Sequence, residues 1–248
     1  MTDDIAEDEP FAPFERWFAL AGASEPLAET MTLATATRDG VPSLRAVLLK
    51  GADARGFVFY TNFESRKAEE LFANPRVALC FHWKSVGRQI RIEGTVSVVS
   101  DAEAEAYFAS RPRDSQIGAW ASDQSRPLED RRELEDRFAN VTRQYAESAV
   151  VPRPANWSGF RVRPDRVEFW QERPFRLHDL YEALDLPLAG RWRAHPLAPW
   201  QVQVAPAMER IVKAESAAMR VTLAELLADV RAPAARPLRA IADRFGAD

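Results

Sequence analysis

The sequence predicts a mainly β fold in which an antiparallel barrel is surrounded by peripheral helices. Three observations lead to this prediction. Short runs rich in β-branched and aromatic residues follow one another between residues 32 and 100, and Gly or Asp turns separate them. Few of these runs alternate with helices, as they would in a parallel α/β sheet. With 46% hydrophobic and 28% charged residues, the chain of 248 residues can also bury a substantial core.

The first half of the chain supplies most of the predicted strands. A short amphipathic helix over residues 13–22 precedes them. Residues 32–61 read TLATAT, LRAVLLK and GFVFYT, divided by a DG turn and a turn near Gly51, and this pattern predicts antiparallel hairpins. A short helix is expected over residues 65–74. Two further strands follow, VALCFHW and RQIRIEGTVSVVS, joined by a turn at KSVG.

The second half adds helices around the sheet. Ser100 and Glu103 have capping-box spacing, so we expect a helix that begins there and ends at Pro112. A long charged helix is predicted from Pro127 to about residue 147, because proline is favoured in the first turn of a helix. GFRV and RVEFWQ are interpreted as further strands.

The pattern of residues changes after residue 200, from strand-like to helix-like. Two segments, at residues 205–220 and 222–230, are helix-like, and the second begins with another capping-box pair, Thr222 and Glu225. The sequence therefore predicts a barrel domain over residues 1–199 and a helical appendage of unknown role over residues 200–248.

Charge and cysteine content limit the classes of partner. A formal net charge of -4 argues against a dedicated binder of nucleic acid or of anionic membranes. Cys80 is the only cysteine, which excludes an intrachain disulfide and favours a reducing compartment. The N-terminus, MTDDIAEDEPF, is acidic where a secretory signal would be basic and then apolar, and no apolar run approaches the roughly 18 residues that span a bilayer. We expect a cytoplasmic protein.

Several common site types are disfavoured. The sequence has neither a Gly-x-Gly-x-x-Gly pattern nor a phosphate loop. His82, His178 and His195 lack metal-ligand spacing and no cysteine cluster accompanies them, so no metal site is predicted. Carboxylate pairs on the predicted helices are better explained as solvated faces than as acid/base machinery.

Basic residues near the first strands suggest an anion site. Arg45 and Lys50 are an odd number apart, so in a regular strand they point to opposite faces, unless the strand is bulged between them. Taken alone, they are more simply two surface charges beside a buried strand. Arg66 and Lys67 fall in the first turn of a helix that Ser65 would cap, where a bound anion would turn an unfavourable dipole interaction into a favourable one. A solvated helix start is the alternative.

Two further groups could recognise a polar, phosphorylated ligand. Tyr107 and Arg111 are four residues apart and share one helix face, and Ser115 follows closely enough to turn towards the same point. A phenol, a guanidinium and a hydroxyl together suit a phosphate monoester. Arg176 and His178 project from the same face of FRLHD if that segment is extended, and they could orient or deprotonate a ligand.

Seven segments, taken in order, resemble one enzyme family. RAVLLK, FYTNFESRKAEEL, NPRVALCFHW, RQIRIEG, YFASRPRDSQIGAWASDQS, NWSGFRV and EFWQERPFRLHD are similar to the pyridoxamine 5′-phosphate oxidases, which use FMN to make pyridoxal 5′-phosphate. The likeness runs from about residue 14 to residue 179, and RPRDSQIGAWASDQS and FRLHD are its most specific parts. It implies an antiparallel, Greek-key-like split β-barrel and a homodimer with FMN bound between the subunits.

The resemblance also implies roles for individual residues. It assigns FMN contacts to Arg45, Ala46, Val47, Leu48, Leu49, Lys50, Tyr60, Thr61, Arg66, Lys67, Gln89, Gln124, Ser125 and Trp170. It assigns substrate contacts to Lys50, Tyr107, Arg111, Ser115, Arg176, Leu177 and His178. The implied reaction is oxidation of pyridoxine or pyridoxamine 5′-phosphate at C4′, with O2 as the final acceptor and H2O2 as a product. Arg176 and His178 are expected to flank the reacting carbon.

Two alternatives remain beside this oxidase. One is another flavin enzyme on the same barrel, such as a flavin reductase or an oxidase of a different small ring compound. The other is a catalytically weak protein that binds the vitamer or the flavin. Departures from the family motivate the second: Leu180 stands where relatives have a flavin-binding arginine, and LYEALDLPLAG, which looks helical or irregular, replaces a strand. Either a diverged ending or a coding shift would explain these differences. The arginine-rich segment that closes over substrate in some relatives is also absent.

Overall fold

A computed structural model describes residues 10–173, 179–186 and 191–196 of the chain. The chain divides into two compact units, Met1–Glu168 with Ala183–Ala194 and Phe169–Glu182 with His195–Asp248. The predicted helical appendage over residues 200–248 lies outside the described residues. Within the described residues, no helix is long and apolar enough to cross a membrane.

Strands dominate the described chain, and helices flank them. The strands are β1 (Thr30–Ala36), β2 (Pro42–Leu48), β3 (Gly51–Asp53), β4 (Gly56–Asn62), β5 (Arg76–Trp83), β6 (Arg88–Val98), β7 (Trp157–Gln171), β8 (Asp179–Leu186) and β9 (Arg191–Pro196). The helices are α1 (Phe11–Gly22), α2 (Arg66–Ala73), α3 (Asp101–Ser110), α4 (Arg113–Ala121) and α5 (Arg131–Gln144).

The sheet follows the order β2-β1-β5-β6-β7-β4-β3, and β8 and β9 pair with each other. The pairs β1–β2, β1–β5, β5–β6, β3–β4 and β4–β7 are all antiparallel. Gly94 lets β6 pass close to β7, because a Cβ at this position would lie 2.1 Å from the carbonyl oxygen of Arg163. The predicted antiparallel barrel with peripheral helices is confirmed.

An aromatic core joins α1 to the sheet. Phe14 and Trp17 are three residues apart on one face of α1 and are both 1% exposed. The Phe14 ring lies 4.9 Å from the ring of Phe57 in β4 and 5.4 Å from the ring of Phe81 in β5. Burial of each such side chain contributes about 1.5–3 kcal/mol, so this face fixes the helix on the sheet.

Two arginines that are mostly but not fully buried attach helix α3 to β7 and to the loop before it. Arg153 donates from Nη2 to Asp101 and from Nε to Glu105, both at 2.9 Å, and Arg161 pairs with Glu103. As predicted, α3 begins at a Ser100 cap, whose hydroxyl accepts a hydrogen bond from the Glu103 N–H at 3.2 Å. These contacts fix the position of the helix that carries Tyr107.

Four local predictions are wrong. The long charged helix begins at Arg131 rather than Pro127, because the Asp130 carboxylate caps it by accepting from the Glu133 N–H at 3.0 Å. Ser65 precedes α2, but its hydroxyl donates to the Asn62 carbonyl oxygen at 2.7 Å and caps no helix N–H. GFRV and RVEFWQ are strand residues as predicted, but they form one strand, β7, rather than two. LYEALDL is neither helical nor irregular: it lies in β8, which pairs with β9.

Candidate active site

A cavity of about 460 Å³ lies in the first unit, between the strands β2 and β4 and the helices α3 and α4. The predicted site residues that line it are Ala46, Val47, Leu48, Lys50, Tyr60, Thr61, Lys67, Tyr107, Arg111, Ser115 and Gln124. Residues far apart in the sequence therefore share one cavity, and cationic side chains reach it from several elements.

One part of the cavity carries the predicted phosphate-binding group. Arg111 follows α3 directly, so it lies near Tyr107, and Ser115 is in the first turn of α4. The Nη1 atom of Arg111 is buried and has no hydrogen-bond partner among the described residues. Burial lowers the pKa of Arg111 and raises that of Tyr107. A buried cationic donor left unpaired is costly, and an anionic ligand would satisfy it.

Stacked aromatic rings form one wall of the cavity. The rings of Tyr60 and Tyr107 are 4.1 Å apart with an interplanar angle of 20°, and those of Tyr60 and Trp157 are 5.2 Å apart at 7°. The Arg111 guanidinium lies 4.8 Å from the centre of the Trp157 ring, within cation–π range. Burial raises the pKa of Tyr60, which therefore stays neutral. The wall is flat, apolar and uncharged.

A second cationic group stands where α2 begins. The Lys67 Nζ donates to Gln124 Oε1 at 2.7 Å and to Thr61 Oγ1 at 3.2 Å. Burial, and secondarily the charge of Arg45, lower the pKa of Lys67 to about 8. Lys67 is thus an ammonium group held by neutral acceptors at the positive end of a helix dipole. Such a position favours an anion.

Arg45 and Arg66 do not line the cavity; they meet at Glu70, a residue that is 5% exposed. Arg45 Nη2 lies 3.2 Å from Glu70 Oε2, and Arg66 Nε lies 2.9 Å from Glu70 Oε1. Burial raises the pKa of Glu70, but hydrogen bonds from Ser43, Thr35 and both arginines outweigh it and bring the pKa to about 2. Glu70 is therefore a stable carboxylate.

Four of the other predicted residues, all described, do not line this cavity. Leu49 is 6% exposed, and Gln89 lies in β6, opposite His82 of β5. Ser125 has a positive φ of 68° directly after Gln124. Trp170 lies near the end of β7, in the second unit. Arg176, Leu177 and His178 lie outside the described residues, and the roles of all these residues stay predictions.

Sequence reasoning missed five lining residues: Asn62, Gly118, Ala119, Ser122 and Trp157. Asn62 ties β4 to the end of α4, because its Nδ2 donates to the Ser122 carbonyl oxygen at 3.4 Å. All five fall inside the segments FYTN, RPRDSQIGAWASDQS and NWSGFRV. Only their membership in these family-like segments could have identified them as site residues. Their spacing in the sequence does not predict that they share a cavity.

Solved structures with the same fold define the class. PhzG from Burkholderia lata 383, solved in complex with tetrahydrophenazine-1-carboxylic acid, is 30% identical with a TM-score of 0.73, covering 79% of this chain and 95% of that one. A pyridoxamine 5′-phosphate oxidase-related, FMN binding protein from Nostoc punctiforme has a TM-score of 0.63 at 15% identity, covering 78% of this chain and 100% of that one. The fold is therefore that of the split-barrel proteins of this group, as predicted.

Sequence comparisons identify the family. The model for pyridoxamine 5′-phosphate oxidase matches residues 25–145, and the model for the pyridoxine 5′-phosphate oxidase C-terminal dimerisation region matches residues 157–199. The pyridoxine/pyridoxamine 5′-phosphate oxidase of Gluconobacter oxydans is 63% identical over 71% of this chain and 88% of the relative. That of Rhodospirillum rubrum is 61% identical over 71% and 90%. The chain belongs to the pyridoxamine 5′-phosphate oxidase family.

Proposed function

We propose that the protein oxidises pyridoxine 5′-phosphate and pyridoxamine 5′-phosphate to pyridoxal 5′-phosphate, with FMN as cofactor and O2 as acceptor. The observation that carries the proposal is one cavity that holds two separate cationic groups, around Arg111 and around Lys67. A phosphorylated flavin and a phosphorylated substrate require two such groups. Relatives more than 60% identical that carry this enzyme's name support the same conclusion.

The donor set fits both ligands. Lys67, Thr61 and Gln124 are the cavity-lining residues that would take part in holding the phosphate of FMN, while Tyr107, Arg111 and Ser115 would hold the phosphate of the substrate. FMN, when bound, supplies the acceptor for the hydride equivalent that leaves the substrate. The protein's contribution is positioning: charge-assisted hydrogen bonds fix each phosphate, and the aromatic wall excludes water from one side of the cavity. Arg176 and His178 stay the proposed groups beside the reacting carbon.

The working unit is proposed to be a homodimer. Residues 157–199 match the family's dimerisation region. The strand β2, at one end of the main strand order, also exposes Leu44 to 67% and Leu48 to 39%, and Leu48 lines the cavity. A second copy that covers this apolar face would shield it from water and enclose the cavity, as FMN between subunits would require.

An absorbance spectrum followed by an anaerobic titration tests the function. We expect purified protein to be yellow and its flavin band to bleach when pyridoxine 5′-phosphate is added without oxygen. Admission of O2 should restore the band and release H2O2. A colourless protein that stays inactive with added FMN would rule the proposal out. Tight vitamer binding without turnover in saturating FMN would instead identify the binding protein considered above.

Oxidation of another small ring compound is the second candidate, and the similarity to PhzG favours it. The buried Nη1 of Arg111, to which no described residue is hydrogen-bonded, argues for a phosphorylated substrate instead. Oxygen uptake measured with pyridoxine 5′-phosphate, with unphosphorylated pyridoxine and with NADPH separates the oxidase from this candidate and from a flavin reductase. We expect the phosphate ester to react fastest.

Replacing Trp157 with phenylalanine tests the contact between Arg111 and the aromatic wall of the cavity. Phenylalanine keeps an aromatic side chain but weakens the cation–π contact, which contributes about 0.5–2 kcal/mol. We expect the KM for pyridoxine 5′-phosphate to rise by about threefold to tenfold, while the affinity for FMN stays unchanged. The matched control is Trp120→Phe, a tryptophan that is 37% exposed. An equal effect of the two substitutions on KM would contradict the assignment.

A further inference from the structure

Glu70 is the acidic residue at which the two arginines outside the cavity meet. Its Oε1 accepts from Arg66 Nε at 2.9 Å, and its Oε2 accepts from Arg45 Nη2 at 3.2 Å. The hydroxyls of Thr35 and Ser43 also donate to Oε2. Each carboxylate oxygen is thus committed to a different arginine, one on β2 and one on α2.

The contact with Arg66 leaves part of that side chain available. The ion pair uses Nε, so the two Nη groups are outside it, and the side chain is 62% exposed. Guanidinium Nη groups are well suited to bidentate recognition of a phosphate. Glu70 therefore binds the Nε edge of the Arg66 guanidinium and leaves its two Nη groups free of this ion pair.

The three cations and the carboxylate act as one electrostatic group. Arg66, Lys67 and Glu70 lie on α2, and Glu70 holds Arg45 of β2 against that helix. The charge of Arg45 also lowers the pKa of Lys67. Three positive charges and one negative charge leave a net charge of two. A phosphate monoester carries about -1.5 to -2 at neutral pH, which matches this net charge.

We propose that Glu70 is a positioning residue, which holds Arg45 and Arg66 in the orientation that, together with Lys67, receives the phosphate of the flavin. The inference rests on the proposed function, because it deepens the account of the FMN site. Glu70 itself touches no ligand in this scheme. It acts by immobilising the two arginine side chains. Their conformational entropy is therefore lost when the protein folds and not when FMN binds.

Glu70→Gln is the test, with riboflavin as the reference ligand because it lacks the phosphate. Glutamine keeps the length but offers one acceptor oxygen and adds a donor, so it cannot hold both arginines. Quenching of flavin fluorescence gives both dissociation constants in full-length protein freed of flavin. We expect the preference for FMN over riboflavin to fall by about tenfold or more, since a charged hydrogen bond is lost or misdirected. The riboflavin affinity should stay unchanged.

Glu69→Gln is the matched control, since Glu69 is on the same helix and 60% exposed, and it should leave the preference as it is. Glu70→Asp, which keeps the charge but shortens the side chain, is judged by the same ratio and replaces Glu70→Gln if that variant does not fold. An unchanged ratio overturns the inference. An equal loss of affinity for FMN and for riboflavin also overturns it, because Glu70 would then have a purely structural role. Tighter FMN binding overturns it as well, because Glu70 would then compete with the phosphate as an anion. Wild-type protein that binds no FMN would refute the proposed function itself.

Discussion

Replacing Arg111 with alanine is expected to lower kcat/KM for pyridoxine 5′-phosphate by about two to four orders of magnitude, because two charge-assisted hydrogen bonds are each worth about 1.5–3 kcal/mol. The structure gives the reason for so large an effect. The Nη1 atom of Arg111 is already buried, and it has no hydrogen-bond partner in the part of the chain that the structure describes. The substrate phosphate would therefore gain this contact without a further cost of dehydrating that nitrogen. Steady-state oxygen uptake over a range of substrate concentrations measures the change.

Two further variants make the Arg111 result specific. Arg111→Lys keeps the charge but loses the planar fork, so it should recover only a small part of the activity. Arg113→Ala removes a nearby exposed arginine, which contacts the Tyr145 carbonyl oxygen and does not line the cavity, and it should act like wild type. FMN content should be normal in all three. Loss of FMN from Arg111→Ala would show that Arg111 serves the flavin instead.

The elements that the sequence predicted correctly are those with local signals. Turns with Gly and Asp divide the strands of the barrel, and Ser100 with Glu103 marks the start of α3. Helix α4 was not predicted, because RDSQIGAWA is short and largely polar, with Ile117 and Ala121 as its only buried apolar residues. Its place is set by tertiary contacts: Gln116 is 8% exposed, and its Nε2 donates to the carbonyl oxygens of Phe108 and Arg111 at 3.0 and 3.1 Å.

The strand β8 shows how sheet pairing overrides local preference. The segment LYEALDL contains good helix formers, and its spacing favours a helix, yet it pairs with β9 as a strand. Leu180, the departure from the family's arginine, is the second residue of this strand and is partly buried. The two described parts of the divergent sequence, Asp179–Leu186 and Arg191–Pro196, are therefore both strands.

The candidate site could be predicted residue by residue only from resemblance to the family. Tyr60 stacks on both Tyr107 and Trp157, which follow it by 47 and 97 residues, and no spacing rule brings these rings together. The spacing of Arg45 and Lys50 also does not decide whether they serve the same partner or different ones. The structure resolves the question because β2 ends at Leu48, so Lys50 lies outside the strand and reaches the cavity, while Arg45 turns to Glu70.

Replacing Lys67 with methionine is expected to weaken FMN binding by about tenfold to one hundredfold, the equivalent of one charged hydrogen bond. Methionine keeps the length and much of the packing but removes the charge. The lost ammonium group is the cation that lines the cavity beside Thr61 and Gln124. Fluorescence titration with FMN measures the change. Lys84→Met, at an exposed position in the turn between β5 and β6, is the control and should bind FMN normally.

The pH dependence of FMN affinity provides the sharpest check on Lys67. Burial, helped by Arg45, lowers the pKa of Lys67 to about 8, so the free protein loses this charge as the pH rises through 8. Bound phosphate requires the protonated form, and linkage then predicts that the dissociation constant rises above pH 8 by up to about tenfold per pH unit. The phosphate, with a second pKa of about 6, stays doubly charged throughout this range. Lys67→Met should therefore bind FMN with an affinity that hardly changes between about pH 7 and 9. A wild-type affinity that is equally flat would mean that Lys67 does not hold the flavin phosphate.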